Sequence, residues 1–397
     1  MQVRQASKHE LASELGRRYR AAGRAEKGRL LDEYVAVSGY HRKYALTLLG
    51  RVPVTERRRR GGGRPVVYGA DVLGGLRVAA EATGWICGKR LAPILPELVA
   101  ALEREGALSL TPPVRVALTG MSAATIDRRL RELRQEAKPH GLATTKPGSL
   151  LRRQIPIRTY TPWDEQRPGF VEIDLVAHCG TTTAGTYLST LTVVDIATGW
   201  TECAPVATKT QDAVYAALCR LREVLPFPLL GIDSDNGSEF INERLLRYCR
   251  REQLTFTRCR SYHKNDQAHV EGKNWSVVRR EIGYDRYESA AALRQLGRVY
   301  ELLRVQTNGV LPTMKLVGKE REGARVRKYY DVPKTAYQRA REAGVVSAEA
   351  QARFDARLAE LGPLGRRRGI DAEVQRLWSL RVGGERTADA MAAGASR

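Results

Sequence analysis

The chain has 397 residues, 43% of them apolar, with 66 Lys and Arg against 44 Asp and Glu. That length and composition suit a modular protein with several cores, and the formal charge of +22 favours a polyanionic partner, nucleic acid first. No run of 18 apolar residues occurs and Met1–Arg20 lacks an apolar signal core, so a membrane-spanning or secreted protein is not expected, and a cytoplasmic, nucleoid-associated one is. The six cysteines (Cys87, Cys179, Cys203, Cys219, Cys249, Cys259) show no paired short spacing, which speaks against a disulfide framework or a zinc ribbon.

The N-terminal region is expected to be helical. "EKGRLLDEYVAVSGYHRKYALTLL", residues 26–49, places apolar residues at helical spacing on both sides of a Ser38-Gly39 break. This is a helix-turn-helix pattern over residues 1–54, and Tyr40, His41, Arg42 and Lys43 open its second helix, where such units contact bases and phosphates. An ordinary helical hairpin with a solvated basic face has the same pattern. Residues 55–69, "TERRRRGGGRPVVYG", form a linker by composition, with Arg58 and Arg59 placed to lie along a DNA backbone or groove. Residues 70–140 form a second helical region. In "VRVALTGMSAATIDRRLRELRQEAK", residues 114–138, Gly120 ends one helix and Ser122 caps the next, whose polar, basic face carries Thr125, Asp127, Arg128, Arg129 and Arg131. This is a second helix-turn-helix, and linked modules read a longer DNA site than either alone.

Residues 141–168, rich in proline and glycine, form a linker; the pattern then changes to βββαβαβα. Strands are expected over 170–178, 187–195 and 199–207, with "DIATGW" turning the second pair. A helix over 210–225, a strand over 229–233, a helix over 238–252, a strand over 254–260 and a helix from about 266 complete the order. In "FVEIDLVAH", residues 170–178, Phe170, Glu172, Asp174 and Val176 share one face of the first strand. A mid-strand aspartate is disfavoured and needs a cation or hydrogen-bond donors. In "LLGIDSDNGSEF", residues 229–240, Asp233 and Asp235 follow an apolar run and precede an Asn-Gly turn; Asn236 or Ser238 is expected to cap the next helix, with Glu239 at its positive end. In "SYHKNDQAHVEGKNWSVVRRE", residues 261–281, Glu271, Asn274 and Val278 share a helix face. Convergence of Asp174, Asp235 and Glu271 would suit hard divalent cations, and two such ions serve an in-line phosphodiester displacement.

"SDNGSEF", the 35 residues between Asp235 and Glu271, and the Lys273-Asn274 pair after the glutamate resemble the DDE integrase and transposase superfamily. The resemblance spans residues 168–287, and "YYDVPKTAYQRA", residues 329–340, resembles the tail of bacterial insertion-sequence transposases. It implies an RNase H-like α/β core over residues 169–300, with a mixed five-stranded sheet and flanking helices, behind N-terminal all-α helix-turn-helix modules. It also implies catalytic and metal-ligand roles for Asp174, Asp235 and Glu271, two Mg²⁺ ions with Mn²⁺ able to substitute, and double-stranded DNA as both element end and target. A dimer or larger homo-oligomer on the DNA follows from pairing two ends. Retroviral integrases carry a His-His-Cys-Cys zinc domain in front; helix-turn-helix units stand there in this chain, which turns the reading to a bacterial mobile element. The usual Pro-Gln pair before the glutamate is replaced by Asn265-Asp266-Gln267.

Secondary assignments follow. Lys273 is placed to touch DNA near the cut phosphate, and Tyr262, His263 and Lys264 to meet an unpaired DNA end. Glu172 is expected to be surface-exposed or salt-bridged, His178 to be a polar loop residue, and Trp275 to be core. Residues 301–382 are expected to form a small β-rich, basic, DNA-binding module with a terminal helix. Its strands fall in 315–333, an amphipathic helix covers 347–361, "GPLGRRRG" breaks that helix, and residues 383–397 are disordered. The implied activity is metal-dependent 3′-end cleavage and strand transfer. A catalytically silent sequence-specific DNA-binding regulator and an RNase H-like nuclease without joining activity are the alternatives.

Overall fold

The structure is a computed structural model that describes residues 5–50, 68–131, 134, 167–235, 237, 239–240, 242–258, 267–323 and 325–383. The linker arginines Arg58 and Arg59, the loop residues Tyr262, His263 and Lys264, and the tail beyond residue 383 lie outside these. The chain divides into two compact units, residues 1–67 and 68–397.

The first unit holds α1 (Gln5–Ala21), α2 (Arg24–Ser38) and α3 (Arg42–Gly50). Leu15, Leu30, Leu31, Tyr34, Ala45, Leu48 and Leu49 form its core. Gly39, at φ +70°, ends α2 with its N–H bonded to the Val35 carbonyl at 2.9 Å, a left-handed cap that a β-carbon would strain. The expected break between the two helices is therefore present.

The second unit opens with four helices: α4 (Ala70–Ala82), α5 (Gly88–Arg104), α6 (Pro112–Thr119) and α7 (Ala123–Arg129). The Ser122 side chain accepts the Thr125 N–H at the start of α7, as its sequence position suggests. Asp127 departs from expectation: its Oδ1 accepts the Gly88 N–H at 2.6 Å and pairs with Arg134 at 2.6 Å. The carboxylate thus clamps α7 to the start of α5, leaving Arg128, Arg129 and Arg131 exposed.

Five strands follow, β1 (Phe170–Ala177), β2 (Ser189–Asp195), β3 (Thr201–Val206), β4 (Gly231–Ser234) and β5 (Thr255–Arg258), interleaved with α8 (Gln211–Val224) and α9 (Glu243–Arg251). The sheet order is β3-β2-β1-β4-β5, with β1 antiparallel to β2 and parallel to β4. Alternation along β1 sends Val171, Ile173 and Leu175 into the core shared with α8 and α9. Glu172, Asp174 and Val176 face the other side. There α10 (Ala268–Lys273) continues through a π-helical turn (Asn274–Arg279) and a last turn (Arg280–Ile282), and α11 (Ala290–Val305) packs behind it. The turn between β2 and β3 is held by Asp195, whose carboxylate accepts the Thr198 N–H at 2.7 Å, the Thr198 hydroxyl at 2.6 Å and the Gly169 N–H at 2.7 Å.

Two expectations are corrected. The helix after β4 starts at Glu243, with Asn242 Oδ1 accepting the Leu245 N–H at 2.9 Å, so its cap is Asn242 and not Asn236 or Ser238. "GPLGRRRG" begins a helix instead of only breaking one. After a second π-helical turn (Gln306–Val310) and a hairpin of β6 (Leu316–Glu322) and β7 (Arg325–Tyr330) come α12 (Ala336–Glu342), α13 (Ala348–Ala359) and α14 (Pro363–Trp378). Proline suits the first turn of α14, and Glu105 at the end of α5 accepts the N–H groups of Leu364 (3.1 Å) and Gly365 (2.6 Å). Arg367 is buried against Glu281 at 2.9 Å and against Asp371. The C-terminal region is thus one hairpin followed by three helices, and α14 packs on both α4 and α11.

Gly88 is a sharp test of this packing. A β-carbon there would lie 2.1 Å from the Ala123 carbonyl oxygen, a backbone atom that can yield only if α7 shifts. Gly88→Ala is expected to cost about 1–3 kcal/mol, read as a lower urea midpoint, whereas Gly74→Ala, where the space is open, leaves the midpoint unchanged or raises it.

Candidate active site

The site is built on the central strands. β1 carries Asp174 at its centre, and β4, its parallel neighbour, ends at Ser234 so that Asp235 leaves the sheet beside it. Both carboxyl groups are largely withdrawn from water. Burial, then the charge of Asp235 and more weakly that of Glu239, push Asp174 up from 3.8 to about 7 against hydrogen bonds from the Leu175 N–H and Asn274. Burial raises Asp235 to about 6, opposed first by the Gly237 N–H, with Glu239 raising it and Lys209 lowering it. Two carboxylates facing each other in a poorly hydrated place resist joint ionisation.

The helix side supplies the restraint. Asn274 Nδ2 donates to Asp174 Oδ2 at 2.7 Å, Leu175 N–H donates to Asp174 Oδ1 at 2.7 Å, and the buried Glu172 accepts the Val270 N–H through Oε2 at 2.9 Å. Gln267 reaches the Ile173 carbonyl at 3.5 Å. The start of α10 is therefore pinned along β1, and its passage into a π-helical turn begins at the residue that holds Asp174. Such turns recur at functional sites. On the other flank Asp235 Oδ1 accepts the Gly237 N–H at 2.8 Å. A β-carbon on Gly237 would sit 2.7 Å from the Glu239 carboxyl carbon and 2.9 Å from Asp235 Oδ1, so glycine is what lets the two acids flank the turn. Asp233 is buried and accepts the Thr257 hydroxyl at 2.5 Å, tying β4 to β5.

The structure brings Asp174 and Asp235 together and adds Glu239, whose sequence position suits a helix start. Glu271 is exposed on α10, one turn before Asn274, and among the described residues no group of three His, Cys, Asp or Glu side chains is gathered to hold a metal ion. The expected three-carboxylate cluster is therefore only partly assembled: two members meet, and the third stands on the adjoining helix. The pair itself fits a hard divalent cation, since it offers oxygen donors whose mutual repulsion such an ion would relieve.

Other expected residues fall as follows. Glu172 is not a surface group. His178 is buried, bonded through Nε2 to Thr190 Oγ1 at 2.7 Å, and burial pushes it down to about 3, so it is a neutral core histidine. Trp275 is 56% exposed and not core. Lys273 is half-buried, and burial and Arg90 lower it to about 8 while Cys203 opposes them, so its side chain is drawn toward the protein instead of standing free for DNA. In the N-terminal unit Tyr40 is half-buried, stacked edge-on against Tyr44 at 5.0 Å, and Arg42 pairs with Asp32, while His41 and Lys43 are exposed. Arg24, Lys27 and Arg42 line an open groove there with Tyr19. Lys209, beside Asp235, carried no local signal in the sequence and emerges only from the fold.

The acid pair has a measurable signature. Between about pH 4 and pH 7 the folded, metal-free chain binds more protons at Asp174 than the unfolded chain, so raising the pH through that window costs stability. Asp174→Asn is expected to stabilise the metal-free protein at pH 8, by at most about 4 kcal/mol, with the gain shrinking toward pH 5. Thermal unfolding in a chelator at the two pH values checks this.

The family described as integrase core domain matches residues 164–264, a stretch containing Asp174 and Asp235 and ending before Glu271. An uncharacterized protein of Sinorhizobium fredii (strain NBRC 101917 / NGR234), y4rM, is 45% identical over 331 residues, covering 83% of this chain and 94% of that protein. Among solved structures, the catalytic core domain of BIV integrase is 18% identical over 44% of this chain and 95% of its own, with a TM-score of 0.29. The dimeric form of the HTLV-2 integrase catalytic core domain in complex with magnesium is 14% identical over 37% of this chain and 90% of its own, with a TM-score of 0.28. The chain thus belongs to the family of the Sinorhizobium protein and, through its integrase core domain, to the DDE-type integrase and transposase superfamily.

Proposed function

We propose that the chain is a DNA transposase that binds the ends of a mobile element and catalyses 3′-end cleavage followed by strand transfer. The observation that carries the reading is the half-buried Asp174–Asp235 pair, with Asp174 held by Asn274 of the helix that bears Glu271. In the first step a water oxygen bonds to the phosphorus at the element end and the bond to the 3′ oxygen breaks, leaving a 3′ hydroxyl and a 5′ phosphate. In the second, that hydroxyl attacks a target phosphodiester, a new 3′ ester forms, and the target strand's 3′ oxygen leaves and takes up a proton. No covalent protein–DNA intermediate is needed.

Asp174 and Asp235 are the residues that would hold divalent cations, with Glu271 joining them as DNA fills the site. Bound Mg²⁺ or Mn²⁺ supplies charge neutralisation for the attacking and leaving oxygens. Asn274 orients Asp174, leaving one carboxylate oxygen bonded to its amide and the other to a backbone N–H. Gly237 keeps the Asp235 carboxylate turned toward its neighbour.

DNA contacts are proposed for His41, Lys43, Arg128 and Arg129, with Arg42 released from Asp32 on binding, and for one face of the β6–β7 hairpin. In its register Lys319 opposes Lys328 and Arg321 opposes Val326, so Lys319, Arg321 and Lys328 share a face without an acid. The opposite face carries Glu320 against Arg327, with Glu322 on the same side. A two-stranded ribbon of this kind has the width of a major groove. The position of Glu271 outside the acid pair keeps a silent DNA-binding protein as the second reading; that protein would bind a defined site and never nick it.

Asp235→Asn and Glu271→Gln are each expected to lower Mg²⁺-dependent strand transfer by at least about a hundredfold while leaving DNA binding intact. Activity retained in either variant, assayed on plasmid targets with labelled element ends, contradicts the assignment. Replacing Lys319, Arg321 and Lys328 together by alanine is expected to reduce the slope of log K against log salt by roughly two to three, since each phosphate contact contributes about 0.9.

A further inference from the structure

Trp275 is the unexplained residue of the active-site helix. Among the described tryptophans Trp200 is buried, while Trp85 and Trp378 are half-buried; Trp275 alone is more than half exposed. The neighbouring turns cannot hide it, because Val270, Val277, Val278 and Ile282 hold the opposite side of the same helix in the core. A single exposed apolar side chain is ordinary on a protein surface. Its address is what distinguishes this one.

Trp275 follows directly on Asn274, the residue bonded to Asp174 at 2.7 Å, so its Cα lies about 3.8 Å from that of the group orienting a catalytic carboxylate. It stands four residues after Glu271, also exposed, and residues at that spacing are neighbours along a helix surface. Both belong to a segment whose helical geometry changes to π at Asn274. The exposed indole thus stands on the stretch of helix that carries both Glu271 and Asn274, in a chain whose net charge of +22 draws polyanions.

We infer that Trp275 is a stacking platform for an unpaired base of the DNA end held at the Asp174–Asp235 pair. The inference rests on the DNA reading above. In an intact duplex the faces of internal bases are covered by their neighbours, so an indole beside the reacting phosphate finds a π-face only where the end is frayed or a base is turned out. Stacking is tolerant of base identity because every base has such a face. Trp275 would therefore favour opened ends over blunt ones without reading sequence, and would hold the terminal nucleotide while the 3′ oxygen is positioned.

The test uses the full chain without metal, so that binding is separated from chemistry. Two fluorescein-labelled duplexes of one sequence are compared by anisotropy, one blunt and one ending in a fork of three unpaired nucleotides. The parent protein is expected to bind the fork tighter, with Trp275→Ala losing roughly five- to a hundredfold in affinity for the fork, little for the blunt end, and Trp275→Tyr retaining most of the preference. Abasic sites in the fork should bring the parent down to the level of the alanine variant. A fork preference that survives Trp275→Ala, or one indifferent to abasic sites, overturns the inference, as does a change in sedimentation of Trp275→Ala showing that a second copy covers the indole. Mg²⁺-dependent nicking by a parent protein with no fork preference refutes the platform alone; fork preference without nicking refutes the reaction alone.

Discussion

The structure turns on two carboxylates that repel each other at the centre of a sheet. Asp174 and Asp235 are brought side by side by the parallel pairing of β1 with β4, a backbone register that neither side chain can alter. Burial makes their joint ionisation costly, and the surrounding chain supplies only partial relief through the Leu175 and Gly237 N–H groups and the Asn274 amide. A protein that keeps such a pair holds in reserve the free energy a cation would release on binding. The rest of the core is explained as the frame that prevents the pair from relaxing apart: Glu172 and Gln267 pin α10 to β1, and Asp233 ties β4 to β5 through Thr257.

The frame extends beyond the core. Glu105, at the end of α5, caps α14, and Arg367 of α14 pairs with Glu281 in the turn that ends the helix begun by α10. The helical block before the core is thereby linked through charged contacts, the one at Glu105 exposed and the one at Arg367 buried, to the segment that carries Glu271 and Asn274. Polar contacts of this kind carry more geometric demand than apolar packing, because leaving any one of them unpaired is costly.

Much of this was legible in the sequence because it is local. The β1 alternation announced a mid-strand aspartate, and Ser122 announced the cap of α7. The strand order followed from apolar runs and their punctuation. What escaped the sequence was non-local. Glu239 looked like a helix-start charge because its neighbours permit a helix; the helix waits for Asn242, and Glu239 turns back to the acid pair. His178 was expected in a polar loop and is buried, with its Nε2 bonded to Thr190 a strand away. Asp127 looked like part of an exposed basic face until the start of α5 claimed it. Trp275 was expected in the core, and only the packing of Val277 and Val278 shows that the helix presents it outward. "GPLGRRRG" suggests only a helix break, yet its Arg366 and Arg367 are buried, bonded to the carbonyls of Leu358 and Leu361 and the carboxylates of Glu281 and Asp371.

The central claim, that Asp174 and Asp235 form a cation site strained in its absence, is tested most directly by proton release on metal binding. Calorimetric titration of Mn²⁺ into the full chain near pH 6.5, repeated in buffers of different ionisation heat, counts the protons displaced. The account predicts that the parent protein binds Mn²⁺ with net proton release, because Asp174, pushed up to about 7, must give up its proton to bind the ion. Asp174→Asn should abolish both the binding and the release. Mn²⁺ binding with no proton exchange, or binding unaffected by Asp174→Asn, would contradict it.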